Sequence, residues 1–502
     1  MKHKFLLSGL LSLFLLSACN SEQLEFNNSV DTPLSNIPGK SYTIPIDSAL
    51  SYLNSYLNDT NNGTRSSERR KIKDVKPIRM SKFHNKLTRG SSEGDSILYV
   101  VNFENDEGYA FLAADSRIDE NVVAIIDEGS VNDSIVNEAL ALMNQERPYF
   151  EGYPTDGPGF FTTPETGDEV FINPNTVSFY FPEEDDMLIG NYTPDSEAQT
   201  EYTEDVPSLD PVNDTDGATM ATIICMNYAM EQIDNNQEIV EYEPSPTPEG
   251  QPGWWDNYPG EQVDEEYSPW SIKEEVYPIL SQYCFWRQGK PFNNLCPTRR
   301  VAILFGGKRT ADCGCFPLAI SKIFTHFESP SIFTYNGYTV DWTELKSYYS
   351  LDSFSEKAEK SAAYLLRGIG DFCGSWYFYQ GTFTFPKRAK SFMRTAGYQN
   401  AEIYRYSHDK VIDMLSNVKP LIIYGIPGIN IFKAHSWNID GYWIKERTLT
   451  KRIINNGHLV ESFSLTEESE MIHCDFGWGG NSNGYYVSGV FGYNTYIHII
   501  TY

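Results

Sequence analysis

Asp312-Cys313-Gly314-Cys315-Phe316-Pro317-Leu318-Ala319-Ile320 is the stretch from which the rest of the chain can be placed. Phe316, Ala319, Ile320, Ile323, Phe324 and Phe327 recur at three- and four-residue intervals. That is the single apolar face of a 3.6-residue period, and it predicts a helix. Gly314 allows a sharp turn into it. Pro317 fits only a first helical turn, where its missing N–H loses no partner. Cys315 therefore stands at the helix N-terminus, where unpaired N–H groups and the positive dipole end favour a thiolate. It is a candidate nucleophile. A lone cysteine is more often a buried structural thiol, so the assignment depends on partners elsewhere. Cys313 is a rival position with no motif around it.

The 502 residues exceed one ordinary domain, and a hydrophobic content of 40% is enough for real cores. Two lysines in Met1 to Lys4, an apolar run from Phe5 to Leu16 and then Leu16-Ser17-Ala18-Cys19 look like a bacterial lipoprotein signal. The run is too short to span a bilayer. Residues 1–18 are expected to be removed, leaving Cys19 as a lipidated first residue on the cell envelope, with 19–40 as a polar tether. Seven further cysteines are an odd number, so pairing after export would leave at least one thiol free. No cysteine spacing resembles a zinc site, and neither a metal nor a cofactor is expected. Residues 1–269 carry 15 Lys+Arg against 48 Asp+Glu, and residues 270–502 carry 24 against 20. An acidic front and a near-neutral back suggest parts with different tasks, and nucleic acid is disfavoured as a partner for want of a basic face.

Residues 41–150 read as a small α+β domain. Asp47 can cap a helix with Ala49, Leu50, Leu53 and Leu57 inside. Arg65 to Arg89 reads as a loop. Ser96 to Phe103 and Tyr109 to Ala114 read as a hairpin across Asn105-Asp106-Glu107-Gly108, with a third strand at Val122 to Ile126. Residues 151–269 form an acidic, Pro/Gly-rich connecting region, with strands expected in Val170 to Phe181 and a helix over Ala218 to Ile233. Residues 270–502 form the second domain. Helices are expected over Ile272 to Tyr283, Ala389 to Ala396 and Asp409 to Leu415, with a buried strand at Leu421 to Gly425. Helices first and strands afterwards predict a helical half against an antiparallel sheet half.

A nucleophilic thiol needs a base. His435, in the strand-like Lys433-Ala434-His435-Ser436-Trp437-Asn438-Ile439-Asp440-Gly441-Tyr442, is the candidate, with Gly441 read as the strand's end. Asp475, in His473-Cys474-Asp475-Phe476-Gly477-Trp478-Gly479-Gly480, can accept a hydrogen bond from the imidazole and orient it. Phe476 and Trp478 can shield that bond from water. The Cys315 N–H and the Gln288 side chain, in Trp286-Arg287-Gln288, can form an oxyanion hole.

The order Gln, Cys, His, Asp matches papain-like peptidases. Residues 270–500 resemble the streptopain family of bacterial cysteine peptidases in Gln288 to Pro297, Gly314 to Phe327, Tyr335 to Trp342, Ala434 to Tyr442 and Asp475 to Tyr486. The resemblance implies a papain-like two-lobed fold behind a small α+β propeptide that acts as an intramolecular inhibitor. It implies a secreted endopeptidase, made as a zymogen, acting on protein or peptide substrates. Cys315 would be the nucleophile, His435 the base, Asp475 the orienting residue and Gln288 the oxyanion donor, with Trp478, Gly479 and Ala434 lining the substrate site. The family usually has Asn at position 475, Trp at 476 and Gly at 434. The altered motifs leave a catalytically impaired surface lipoprotein that acts in binding as the alternative, and an acyl transferase using the same residues as a third reading.

Overall fold

Strands in the N-terminal third are apolar at successive rather than alternate positions, which requires cover on both faces. The computed structural model bears this out. It describes residues 42–57, 70–79, 96–144, 159–162, 169–172, 217–236, 261–300, 308–378, 381–426, 434–480, 482–487 and 495–502. The expected signal segment, Cys19 and the tether lie outside these residues, as do the connecting stretches 183–216 and 241–260. Of the strands expected in 170–181, only 169–172 is described.

The N-terminal helix α1 (Ile46–Leu57) buries Ala49, Leu53 and Tyr56. Strands β1 (Ile72–Arg79), β2 (Ser96–Phe103), β3 (Tyr109–Ala113) and β4 (Val122–Ile126) form an antiparallel meander. α1 packs on β3, and the paired helices α2 (Asp133–Asn144) and α3 (Gly217–Asn235) lie beside it, with α3 on β2. Hence β3 and β4 have no exposed residue. Arg65 to Arg89 is not all loop: β1 pairs with β2 and buries Ile78. Its lysines and arginines hid a strand whose apolar residues, Ile72, Val75 and Ile78, do not alternate.

The meander continues into the C-terminal region. With β5 (Glu261–Tyr267), β6 (Ser271–Val276), β7 (Glu402–Arg405), β8 (Leu421–Ile426), β9 (His435–Asn455), β10 (His458–Asp475), β11 (Gly484–Val487) and β12 (Thr495–Thr501) it makes one 12-stranded sheet, ordered β1-β2-β3-β4-β11-β10-β9-β8-β12-β7. The join is Gly484–Tyr486 against Ala124–Ile126. β5 and β6 pair with the distal part of β9. This corrects the helix expected over 272–283: Ser271–Val276 is a strand, because the side of β9 beyond β8 offers it backbone partners. Only Ser281–Tyr283 is helical, as a single 3₁₀ turn. Gly441 does not end β9 either. It sits at a register shift, and a Cβ there would meet the Val276 carbonyl at 2.8 Å, so glycine admits the β6 backbone. β9 turns into β10 at Asn456-Gly457, both with positive φ, as a two-residue hairpin requires.

Helices α4 (Cys315–Phe327), α5 (Glu356–Phe372) and α6 (Pro386–Thr395) form the other layer, and α7 (His408–Ser416) packs on β8 and β9. Alternation along the strands divides the core. Ile422 and Ile500 point into the helical cluster, whereas Leu421, Ile423 and Ile499 join the cluster shared with the N-terminal meander. The result is a mixed helix and antiparallel-sheet protein of the α+β class. Phe327, expected on the apolar face of α4, is 40% exposed.

Candidate active site

α4 begins at Cys315. Gly314 has φ +97°, and a Cβ there would come within 2.9 Å of the Thr382 methyl, so a side chain would be both strained and crowded. The Thr382 hydroxyl donates to the Asp312 carbonyl (2.5 Å), and the Cys313 N–H donates to the Gln288 carbonyl (3.0 Å). The loop delivering Cys315 is thus held by the strand Gly381–Phe383 on one side and by the Gln288 backbone on the other. Cys313 is fully buried, and that burial pushes its thiol well above the ordinary range, which weighs against a nucleophilic role.

Cys315 is partly exposed, but its surroundings are apolar enough that burial raises the thiol, opposed by the Ser436 side chain and backbone and by the amides at the helix start. His435 is buried, and its Nε2 lies 2.9 Å from the Phe476 carbonyl oxygen. Burial lowers the imidazole to about 4, with the Phe476 carbonyl opposing. A carbonyl only accepts, so Nε2 carries the proton and Nδ1 is the basic nitrogen of the neutral ring. The ring stacks on Trp478 at 4.8 Å, and Phe476 stacks on Trp478 at 4.9 Å and on Trp437 at 5.3 Å. Burial thus disfavours the charged form of both groups in this arrangement.

Asp475 is placed differently from the sequence reading. Its two carboxylate oxygens accept from the Lys322 ammonium at 2.8 and 2.7 Å, and one also accepts from the Gly477 N–H at 3.1 Å. Both side chains are buried, Lys322 at 0% and Asp475 at 2% exposure. Burial raises the Asp475 carboxyl and Lys322 holds it back. The hydrogen bond expected of Asp475 to the imidazole is made by the Phe476 main chain. The cause is physical: an ammonium in the core requires a countercharge, and Asp475 supplies it.

Gly477 (φ +73°) brings the turn against α4, where a Cβ would meet Leu318 at 2.7 Å. The Gly479 N–H donates to the Trp286 carbonyl (3.3 Å), and Arg287 bridges Trp478. This zips the 476–480 turn to the segment carrying Gln288, which is half-buried and lies beside the Cys315 loop through its backbone. Ala434 is half-buried immediately before His435. Sequence reasoning missed Lys322, Ser436 and the Phe476 carbonyl. Only Lys322 left a trace, as a lone cation between Ile320 and Ile323 on an apolar helix.

A second buried cluster lies behind the site. His473 sits with Nδ1 2.6 Å from Asp440 and Nε2 2.9 Å from Asp127 at the end of β4. Burial alone would lower this imidazole, but the two carboxylates outweigh it and raise it to about 10. A charged histidine on β10 thus joins the C-terminal sheet to the N-terminal meander.

Residues 286–486 match the Peptidase C10 family, the streptopain family. No curated protein matches the chain. The matched span contains the Cys315 loop, α4, the His435 strand and the Asp475 turn, and it supports peptidase activity of the cysteine type. A peptidase of that family would act on proteins or peptides.

Proposed function

We propose, from the premise that residues 286–486 are of the Peptidase C10 family, that the chain is a cysteine endopeptidase made as a zymogen and carried to the cell envelope by a lipid on Cys19. The observation that carries the reading is Cys315 at the start of a buried helix inside the matched span, with the His435-Ser436 strand laid beside it. In the working enzyme, the sulfur of Cys315 gives its proton to Nδ1 of His435 and attacks a peptide carbonyl carbon. The carbonyl electron pair moves to oxygen, which the Cys315 N–H and the Gln288 amide stabilise. Collapse of that adduct breaks the C–N bond, and His435 returns the proton to the leaving amine. Water, deprotonated by His435, then cleaves the thioester. Trp478, Gly479 and Ala434 line the substrate side of this centre. No helix among the described residues is long and apolar enough to cross a membrane.

Latency is in keeping with the burial of both groups, which raises the Cys315 thiol and lowers the His435 imidazole and so opposes a thiolate–imidazolium pair. Residues 41–150 act as the inhibitory propeptide, extending the C-terminal sheet through β4 and β11 and contributing Asp127 to the His473 cluster. The papain-like two-lobed domain begins near residue 270, and its two lobes are the α4–α6 layer and the sheet that carries His435. Residues 151–269 connect the parts, and cleavage near 260–270 switches the enzyme on.

The test is hydrolysis of an unfolded protein substrate by the full chain after incubation, beside Cys315→Ala. Wild type should cleave and Cys315→Ala should lose at least ~10³-fold in rate. Equal rates would refute the nucleophile assignment. Failure of a thiol-directed peptidase inhibitor to label Cys315 in the processed protein would leave the binding lipoprotein as the better reading.

A further inference from the structure

We propose that Lys322 is a positioning residue for the cysteine–histidine centre, holding Asp475 away from the imidazole and fixing the turn whose Phe476 carbonyl orients His435. This rests on the peptidase reading above and concerns the same site.

The turn has two supports on α4. Lys322, two helical turns after Cys315, takes both carboxylate oxygens of Asp475 at 2.8 and 2.7 Å. Leu318, one turn after Cys315, packs where a Gly477 side chain would stand. Phe476 lies between these supports, and its own N–H donates to the Asn483 side chain at 3.1 Å. With both neighbours and its amide held, the Phe476 carbonyl has one direction available, toward His435 Nε2 at 2.9 Å. The helix that presents the sulfur therefore also sets the tautomer of the base. A further tie, the Asn438 amide to the Ala319 carbonyl at 3.2 Å, fixes β9 to the same helix.

Charge explains why these two residues come as a set. An ammonium that is 0% exposed cannot stay charged without a carboxylate, and a carboxylate beside a catalytic imidazole without an ammonium would compete for its N–H. Lys322 with Asp475 satisfies both, as would two neutral amides. A mixed pair would not. Other ionisable groups around the pair include Asp440, which raises the Asp475 carboxyl further, and the Cys284 and Cys474 thiols, both raised by burial.

The experiment compares wild type, Lys322→Gln, Asp475→Asn and the double variant as full chains. It reads hydrolysis of an unfolded protein substrate, the pH dependence of iodoacetamide alkylation at Cys315 followed by peptide mass, and thermal unfolding. Asp475→Asn should lose about 100-fold or more in kcat with little change in KM, because the unpaired ammonium displaces the turn. Lys322→Gln should move the alkylation profile by about one pH unit, as the released carboxylate turns to His435 and stabilises its charged form. The double variant should recover activity to within about tenfold of wild type and restore the profile. Three results would overturn the proposal. One is wild-type activity in Asp475→Asn. Another is a double variant no better than Asp475→Asn. The last is loss of stability in the single variants with no movement of the pH profile. If wild type hydrolyses nothing while the alkylation profiles shift as stated, the peptidase reading fails and the positioning role stands.

Discussion

Replacing Asp127 by Asn tests how the N-terminal meander is held on the C-terminal sheet. Asp127 places a carboxylate oxygen 2.9 Å from Nε2 of His473, whose other nitrogen is 2.6 Å from Asp440. At an effective dielectric near 20, two unit charges at that distance attract by about 5–6 kcal/mol. The Asp127 side chain is 35% exposed, so screening and retained hydration reduce the net contribution to about 1–3 kcal/mol. Asn keeps the size and a carbonyl acceptor but not the charge. Opening of the β4–β11 pairing should therefore rise about 5- to 150-fold. Hydrogen exchange of the Val122–Ile126 and Gly484–Val487 amides in the full chain reads this directly. The pH dependence has a definite sign. His473 is raised to about 10 when folded, so its contribution is complete below the unfolded value near ~6.5 and is lost as pH climbs toward 10. Wild-type protection, corrected for intrinsic exchange, should weaken over that interval, and more steeply than in Asp127→Asn. Asp133→Asn, which removes an exposed contact with Lys76, should change exchange by less than about threefold. Exchange in Asp127→Asn within about twofold of wild type would refute the reasoning.

Other outcomes follow from the same geometry. His435 is lowered to about 4, so the unfolded or rearranged chain takes up a proton near ~6.5 before the resting arrangement does. The resting arrangement should lose up to about 3 kcal/mol as pH falls from about 6.5 to 4, and self-processing should accelerate over that window. A rate of processing flat between pH 7 and 4 would count against it. Gly477→Ala forces a side chain into a positive-φ position 2.7 Å from Leu318, and should cost about 2–4 kcal/mol in thermal unfolding together with most hydrolytic activity. Thr382→Val removes the hydroxyl that holds the Asp312 carbonyl at 2.5 Å. It should lower stability by about 1 kcal/mol and slow Cys315 alkylation, measured on the same protein.

The sequence by itself determined much of what bears on chemistry. Gly314, Pro317 and the apolar spacing after Cys315 placed a cysteine at a helix start, because those constraints act within one turn of backbone. The hairpin at Ser96–Phe103 and Tyr109–Ala113, the helix at Gly217–Asn235 and the strands at Leu421 and His435 were legible for the same reason: their periods are local. Tertiary structure decided the remainder. Ser271–Val276 became a strand because β9 had backbone to pair, a fact held some 170 residues away in the chain. β4 met β11 because both present unpaired edges, which no local pattern encodes. The exchange of roles at Asp475 was decided in the core. In the sequence it is a carboxylate well placed to orient an imidazole. In the fold an ammonium from the helix that begins at Cys315 takes that carboxylate first, and a main-chain carbonyl is left to hold the histidine. Spacing along the chain restricts which groups can be neighbours, but a buried charge chooses its partner by proximity in three dimensions, since leaving it unpaired costs more than any single hydrogen bond returns.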